Sequence, residues 1–279
     1  MNNDRRRLLA LAAFTALMGK AHASTPLRFG VVPYLTPRRL ATLYEPVRTF
    51  FEHELARPVQ FSSAPDYTQH LGRLRAKEYD LVADSLPIAR LAQRELGYVP
   101  LARTVVPLQP VLVTAEGRAL KAVAELRGQT VAVSDRIAAL TLVGLRFLRD
   151  QGLRPDKDVT VKVAGSHANA IQRVLAGEAA AAIISTTTLK QIEPALAARV
   201  RVVMNLPQAL SAVVYTASPA LAAQAEGLGK RLLSFASTDA TGKAFIESLG
   251  HQGLVKAGPE MAQVDPLVVE FYRQLNNPD

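Results

Sequence analysis

Residues 64–85 read APDYTQHLGRLRAKEYDLVADS, and residues 164–185 read AGSHANAIQRVLAGEAAAAIIS. At a fixed offset Ala64 stands against Ala164, Arg73 against Arg173, Ala76 against Ala176, Glu78 against Glu178 and Ser85 against Ser185. Each stretch predicts a helix with an internal arginine and an alanine at its end, then a glutamate, a strand and a serine. In the first copy the helix runs from Asp66 to Ala76, with Leu71 and Leu74 at helical spacing, and the strand from Tyr79 to Ala83. In the second the helix is Ser166 to Ala176 and the strand Ala180 to Ile184. Agreement of type, order and spacing implies two lobes of similar design.

The flanks extend the pattern. Leu27 to Val32 is a branched apolar run that predicts a buried strand, ended by Pro33. Thr36-Pro37 is an N-cap followed by proline at the first helical position. That helix carries Leu40, Leu43, Val47, Phe50, Phe51 and Leu55, and Val59 to Phe61 is the next strand. Around the second copy, Thr130 to Val133 and Val159 to Val163 predict strands, with a helix from Ala138 to Gln151 closed by Gly152. Beyond Ser185, Thr186 to Thr188 open a helix to about Ala198, and strands follow at Val200–Met204 and Ala209–Tyr215. Helices are expected over 219–237 and 239–249, with a C-terminal segment carrying Val268, Val269, Phe271, Tyr272 and Leu275. Short strands alternating with helices indicate an α/β protein of two lobes, each a mainly parallel sheet flanked by helices. Gln109–Thr114 and residues 206–214 read as two interlobe crossovers. The expected division is 24–112 plus 208–279 for the first lobe and 113–207 for the second.

Residues 1–23 are set aside as a secretory signal peptide. They hold the basic Arg5-Arg6-Arg7, an apolar run from Leu8 to Met18 and the small-x-small Ala21-His22-Ala23, with cleavage after Ala23 into the periplasm. Four cationic residues and one acidic one leave with that segment, so the formal charge falls from +9 to +6. Such an excess attracts anions. No Lys/Arg run interleaves with aromatics, so nucleic acid is not an expected partner. Apolar residues make up 49% of the 279, enough for full cores. The absence of cysteine excludes thiolate nucleophiles, disulfides, iron–sulfur clusters and Cys-based zinc sites.

In open sheets a ligand sits beyond the carboxyl ends of the parallel strands. The loops expected there are rich in hydroxyls and precede helices, whose free N–H groups suit an anion. Catalytic constellations are poor. Ser85, Ser134 and Ser166 lack an adjacent base, and no G-x-S-x-G occurs. His53 and His70 read as solvent-facing and His251 as part of a polar turn, whereas His167 stands at a strand-to-helix junction. Asp66, Asp84 and Asp135 are read as partners for a ligand ammonium, as helix caps or as interlobe contacts. No cofactor, metal or catalytic residue is expected.

Leu27 to Pro33, then Leu55-Ala56-Arg57-Pro58-Val59, Ala64-Pro65-Asp66-Tyr67 and Tyr79-Asp80-Leu81 with Pro87, resemble the phosphate/phosphite/phosphonate-type substrate-binding proteins of ABC transporters. Leu126 to Ala132 and Gly165-Ser166-His167, with Ala170-Ile171 and Val174 to Gly177, continue that resemblance in order. It implies the type II periplasmic-binding-protein fold, with two crossovers and a ligand in the interlobe cleft. It places Tyr34, Asp66, Tyr67, Ser85, Ser134 and His167 in binding loops, with Thr186 and Thr187 near further polar contacts. The turn Asp135 to Ala139 departs from the hydroxyl-rich turn of phosphonate binders, and Leu86 and Arg90 replace the usual glycine and aromatic around Pro87. Arg90 or Arg136 is then the expected holder of an anion, with Ser166 adding a hydrogen bond. The expectation is a monomeric periplasmic protein capturing a small anionic or zwitterionic ligand. Its inner-membrane partner is an ABC permease or, as the alternative, a sensor histidine kinase.

Overall fold

The computed structural model describes residues 25–105, 107–207 and 210–276. The expected leader lies outside the described residues. The first lobe begins with β1 (Leu27–Val31), α1 (Pro37–Leu55), β2 (Val59–Ser63), α2 (Tyr67–Arg75), β3 (Leu81–Asp84) and α3 (Leu86–Leu91). One turn of π-helix, Ala92–Leu96, leads to β4 (Val99–Thr104), and β5 (Pro107–Leu108) opens the first crossover. The second lobe holds β6 (Pro110–Ala115), β7 (Thr130–Val133), α4 (Ala139–Asp150), β8 (Thr160–Val163), α5 (His167–Leu175) and β9 (Ala181–Ser185). It continues with α6 (Thr186–Gln191), α7 (Pro194–Ala197) and β10 (Val200–Asn205). The chain returns through β11 (Leu210–Ser211) to β12 (Val214–Ala217), α8 (Ala222–Thr238), α9 (Ala240–Ser248), β13 (Leu254–Val255) and α10 (Asp265–Asn276).

Among the described residues the strand orders are β13-β4-β12-β3-β1-β2 and β10-β6-β9-β7-β8, with β11 pairing β5. The parallel part of each sheet is one βαβαβ unit: β1 lies between β2 and β3, and β7 between β8 and β9. The next strands, β12 and β6, run antiparallel, so the sheets are mixed rather than mainly parallel. The reason is the crossover: each of these strands enters its sheet from the other lobe and therefore runs against its neighbours. β6 begins at Pro110, so residues 110–112, expected in the first lobe, lie in the second sheet, and the crossover is shorter than the sequence suggests. The single helix expected from Thr186 to Ala198 is two short ones, because Pro194 starts the second at its first turn.

α1 buries Leu40, Tyr44, Val47 and Phe51, one stripe of a 3.6-residue period, against Phe29 and Phe245. α4 lies close on β9 because Gly144 has no side chain; a Cβ there would sit 2.3 Å from Ile183 Cδ1. Its end is a Schellman cap: Gly152 has φ +74°, and Leu153 N–H donates to the Leu148 carbonyl at 2.9 Å. Three hydrophobic clusters result, one on the outer face of each sheet and a central one shared by the two lobes. Leu267 and Phe271 of α10 belong to the central cluster. The C-terminal segment, expected wholly in the first lobe, thus touches both: Asp265 holds Arg90 of α3, and Glu270 holds Arg149 of α4.

Candidate functional site

Six helices begin after the parallel strands, and the starts of five of them, α2 to α6, border an interlobe cavity of about 70 Å³. That is several times the roughly 10–15 Å³ one buried water needs. The first lobe contributes Val32, Tyr34, Tyr67 and Ser85, and the second contributes Ala138, Ala139, Leu140, His167, Ser185, Thr187 and Thr188. Leu108, Ala212 and Val213 of the crossovers and His251 complete the lining.

Local sequence sets each position. Asp66 caps α2 by accepting from Gln69 N–H at 2.7 Å, and Ser166 caps α5 by accepting from Asn169 N–H at 3.1 Å. These caps place Tyr67 and His167 at the first helical positions, facing each other's lobe. Ser185 caps α6 through Thr188 N–H at 3.0 Å, and its hydroxyl lies 2.9 Å from that of Thr188. Ser85 occupies the corresponding place before α3 but makes no cap bond. Pro87, second in that helix, has no N–H to give, which removes one of the two donors a cap hydroxyl accepts from. The Ser85 hydroxyl is therefore left buried and without a protein partner, as are Nδ1 of His167 and of His251. Buried polar atoms are rarely orphaned, and these three belong to residues that line one cavity. The first-turn N–H groups of α4, at Ala139, Leu140 and Thr141, have no intrahelical acceptor either.

Burial holds both histidines neutral at pH 7, lowering His167 and His251 to about 4. Burial pushes the Tyr34 hydroxyl up to about 12, partly offset by its contact with Tyr44. Tyr67 is raised still further by burial, with the carboxyls of Asp135 and Asp84 adding to the effect. Asp84 accepts from Ser85 N–H at 2.8 Å, and its second oxygen lies 2.7 Å from Nε2 of the fully buried His70.

Tyr34, Tyr67, Ser85, His167 and Thr187 from the sequence reading are thus brought together. Asp66 and Ser166 stand behind the wall as caps. Ser134 is buried at the end of β7 with an unpartnered hydroxyl, outside the lining. Thr186 donates its N–H to the Gln109 carbonyl at 3.2 Å, tying β9 to the crossover. The two arginines expected to hold an anion are engaged elsewhere. Arg90 grips both oxygens of Asp265 at 2.8 and 3.2 Å, and Arg136 those of Asp156 at 2.7 and 2.8 Å. Neither lines the cavity, since an acid far along the chain or across a loop folds onto each. His70, read as solvent-facing, is buried against Asp84 and Tyr79.

Leu108, Ala212, Val213 and His251 carried no local signal as site residues. The crossover residues matter because Thr104, fully buried, fixes that return: its hydroxyl accepts from Ala212 N–H at 3.0 Å and Val213 N–H at 3.3 Å. Among the described residues no cluster of His, Asp and Glu has metal-ligand geometry.

No curated protein matches the chain. Solved structures do. PhnD1 of Prochlorococcus marinus in complex with methylphosphonate is 16% identical, with a TM-score of 0.77 over 90% of this chain and 98% of that one. A Xanthomonas citri protein bound to chloride ion is 18% identical, with a TM-score of 0.75 over 91% and 99%. A binding-protein component of an ABC phosphonate transporter from Pseudomonas aeruginosa is 16% identical, with a TM-score of 0.77 over 91% and 89%. They share the two-lobe type II arrangement of mixed sheets flanked by helices. Residues 29–261 match the family described as "ABC transporter, phosphonate, periplasmic substrate-binding protein". With most of the chain matched, this protein belongs to the family of periplasmic substrate-binding proteins of phosphonate ABC transporters.

Proposed function

We propose that the chain captures a small solute with an anionic or zwitterionic head in the interlobe cavity and delivers it to an ABC permease at the inner membrane. It performs no chemistry on the solute. Cleavage after Ala23 would release the mature protein into the periplasm. The observation that carries this reading is the set of unpartnered polar atoms, Ser85 Oγ, His167 Nδ1 and His251 Nδ1, around a cavity walled by both lobes. Tyr34 and Tyr67 form apolar walls with hydroxyl ends, and Thr187 adds a second-lobe hydroxyl. Bending at the paired crossovers, where β5 meets β11, opens and closes the lobes on the solute.

The test is thermal unfolding and calorimetry of the purified protein against phosphate, phosphite, alkylphosphonates, alkanesulfonates and short carboxylates. A ligand at about 100 times its Kd stabilises the folded state by about 2.7 kcal/mol. Failure of every small solute to raise the Tm would defeat the proposal.

A further inference from the structure

The geometry points to a compact solute with one negative charge as the occupant of the interlobe cavity, its head held by Ser85 and His167 and a short apolar tail set against the aliphatic wall. This rests on the capture reading and narrows it. The cavity, about 70 Å³, is walled by both lobes and suits a compact guest. Leu108, Leu140 and Val213 present hydrocarbon to that space, where apolar contact is favourable.

The charge count follows from what surrounds the cavity. Among the described residues no Lys or Arg side chain lines it. Arg90 and Arg136, the nearest candidates by sequence, each spend a two-pronged grip on an aspartate. The histidines that do face it are neutral at pH 7, and a neutral imidazole brings one donor and one acceptor rather than a charge. Behind Tyr67 lie the carboxyls of Asp84 and Asp135, both of which make its ionisation harder. One negative charge is served by the Ser85 hydroxyl, an imidazole N–H and the free first-turn amides of α4. A second would be buried with no counter-charge, which is strongly unfavourable in a low-dielectric site.

Ethanesulfonate and ethylphosphonate provide the test. They have nearly the same shape, but at about pH 8.5 the first carries one negative charge and the second two. Isothermal titration of the purified protein with each should give a Kd for ethanesulfonate at least about tenfold lower. An equal or tighter Kd for the dianionic ethylphosphonate overturns the inference and leaves solute capture standing. So does binding of neither when another member of the wider panel binds. If nothing in that panel binds, the inference falls together with the capture reading.

Discussion

The segments 64–85 and 164–185 fold alike and are equipped differently. Each forms a nine-residue helix begun by a capping side chain and ended by an alanine whose N–H returns to the last turn. In each, Glu N–H at 78 or 178 donates to the carbonyl of Arg73 or Arg173 at about the same distance, 3.0 and 2.9 Å. Yet the first helical residue is Tyr67 in one and His167 in the other. The first lobe buries the pair His70 and Asp84 where the second has Ala170 and Ile184. Ser185 spends its hydroxyl on a cap, whereas the Ser85 hydroxyl has no protein partner. Backbone frame and site chemistry are therefore separable: caps and the Arg–Glu turn carry the frame, and a few side chains projecting from it carry the site.

The sharpest way to break this comparison is at the buried pair. Asp84→Ala leaves His70 buried and unpaired and also removes the acceptor of Ser85 N–H, at about 1–3 kcal/mol for each unmet group in urea unfolding. Transplanting the second lobe's residues, His70→Ala with Asp84→Ile, should recover the share due to His70, because an apolar replacement of a buried polar pair is often close to neutral. If the double variant is as unstable as Asp84→Ala alone, the frame does depend on the pair.

The next effect is a pH dependence to which the second lobe's His167 contributes alongside His251 of the first. The folded pKa of His167, about 4, lies below the unfolded value, so the unfolded chain binds the extra proton between these limits. Stability is fully present above about pH 6.5 and declines as pH falls toward 4, by about 3 kcal/mol from this residue. Unfolding free energies of His167→Asn at a series of pH values should show a correspondingly flatter acid limb. An unchanged limb would show that His167 is not held neutral by burial.

Ser85→Ala and Ser185→Ala test the divergent hydroxyls. The first should leave stability nearly unchanged while weakening solute binding about tenfold, the value of one hydrogen bond to a charged head. The second should cost about 1 kcal/mol of stability through loss of its cap. Equal stability losses would erase the distinction drawn between them. The smallest effect sharpens the likeness instead. Asp66→Ala and Ser166→Ala should each cost about 1 kcal/mol, to a similar extent, because each removes one first-turn cap.

Much of this is legible in the sequence. The repeat, its caps and its helix ends are local signals, and local signals survive folding because backbone geometry is set within a few residues. Four of the expected binding residues, Tyr67, Ser85, His167 and Thr187, line one cavity for the same reason: they sit at helix starts, and Tyr34 joins them from the loop before α1. The misjudged positions are those whose surroundings come from far along the chain. Arg90 looks available until Asp265 folds onto it, and His70 looks exposed until β3 brings Asp84 to it. His251 sits in a short polar turn after α9, and nothing in that turn announces a cavity.

By itself, then, the sequence determined two similar α/β units, the ends of their helices, and the hydroxyl-bearing residues at their starts, since caps, periodicity and turn chemistry act over short range. Tertiary structure decided which strands join which sheet, why those sheets are mixed, which cations are already neutralised and which polar atoms are left without a partner. Those outcomes depend on pairings between segments distant in the chain, and hydrophobic periodicity carries no record of the partner it will meet.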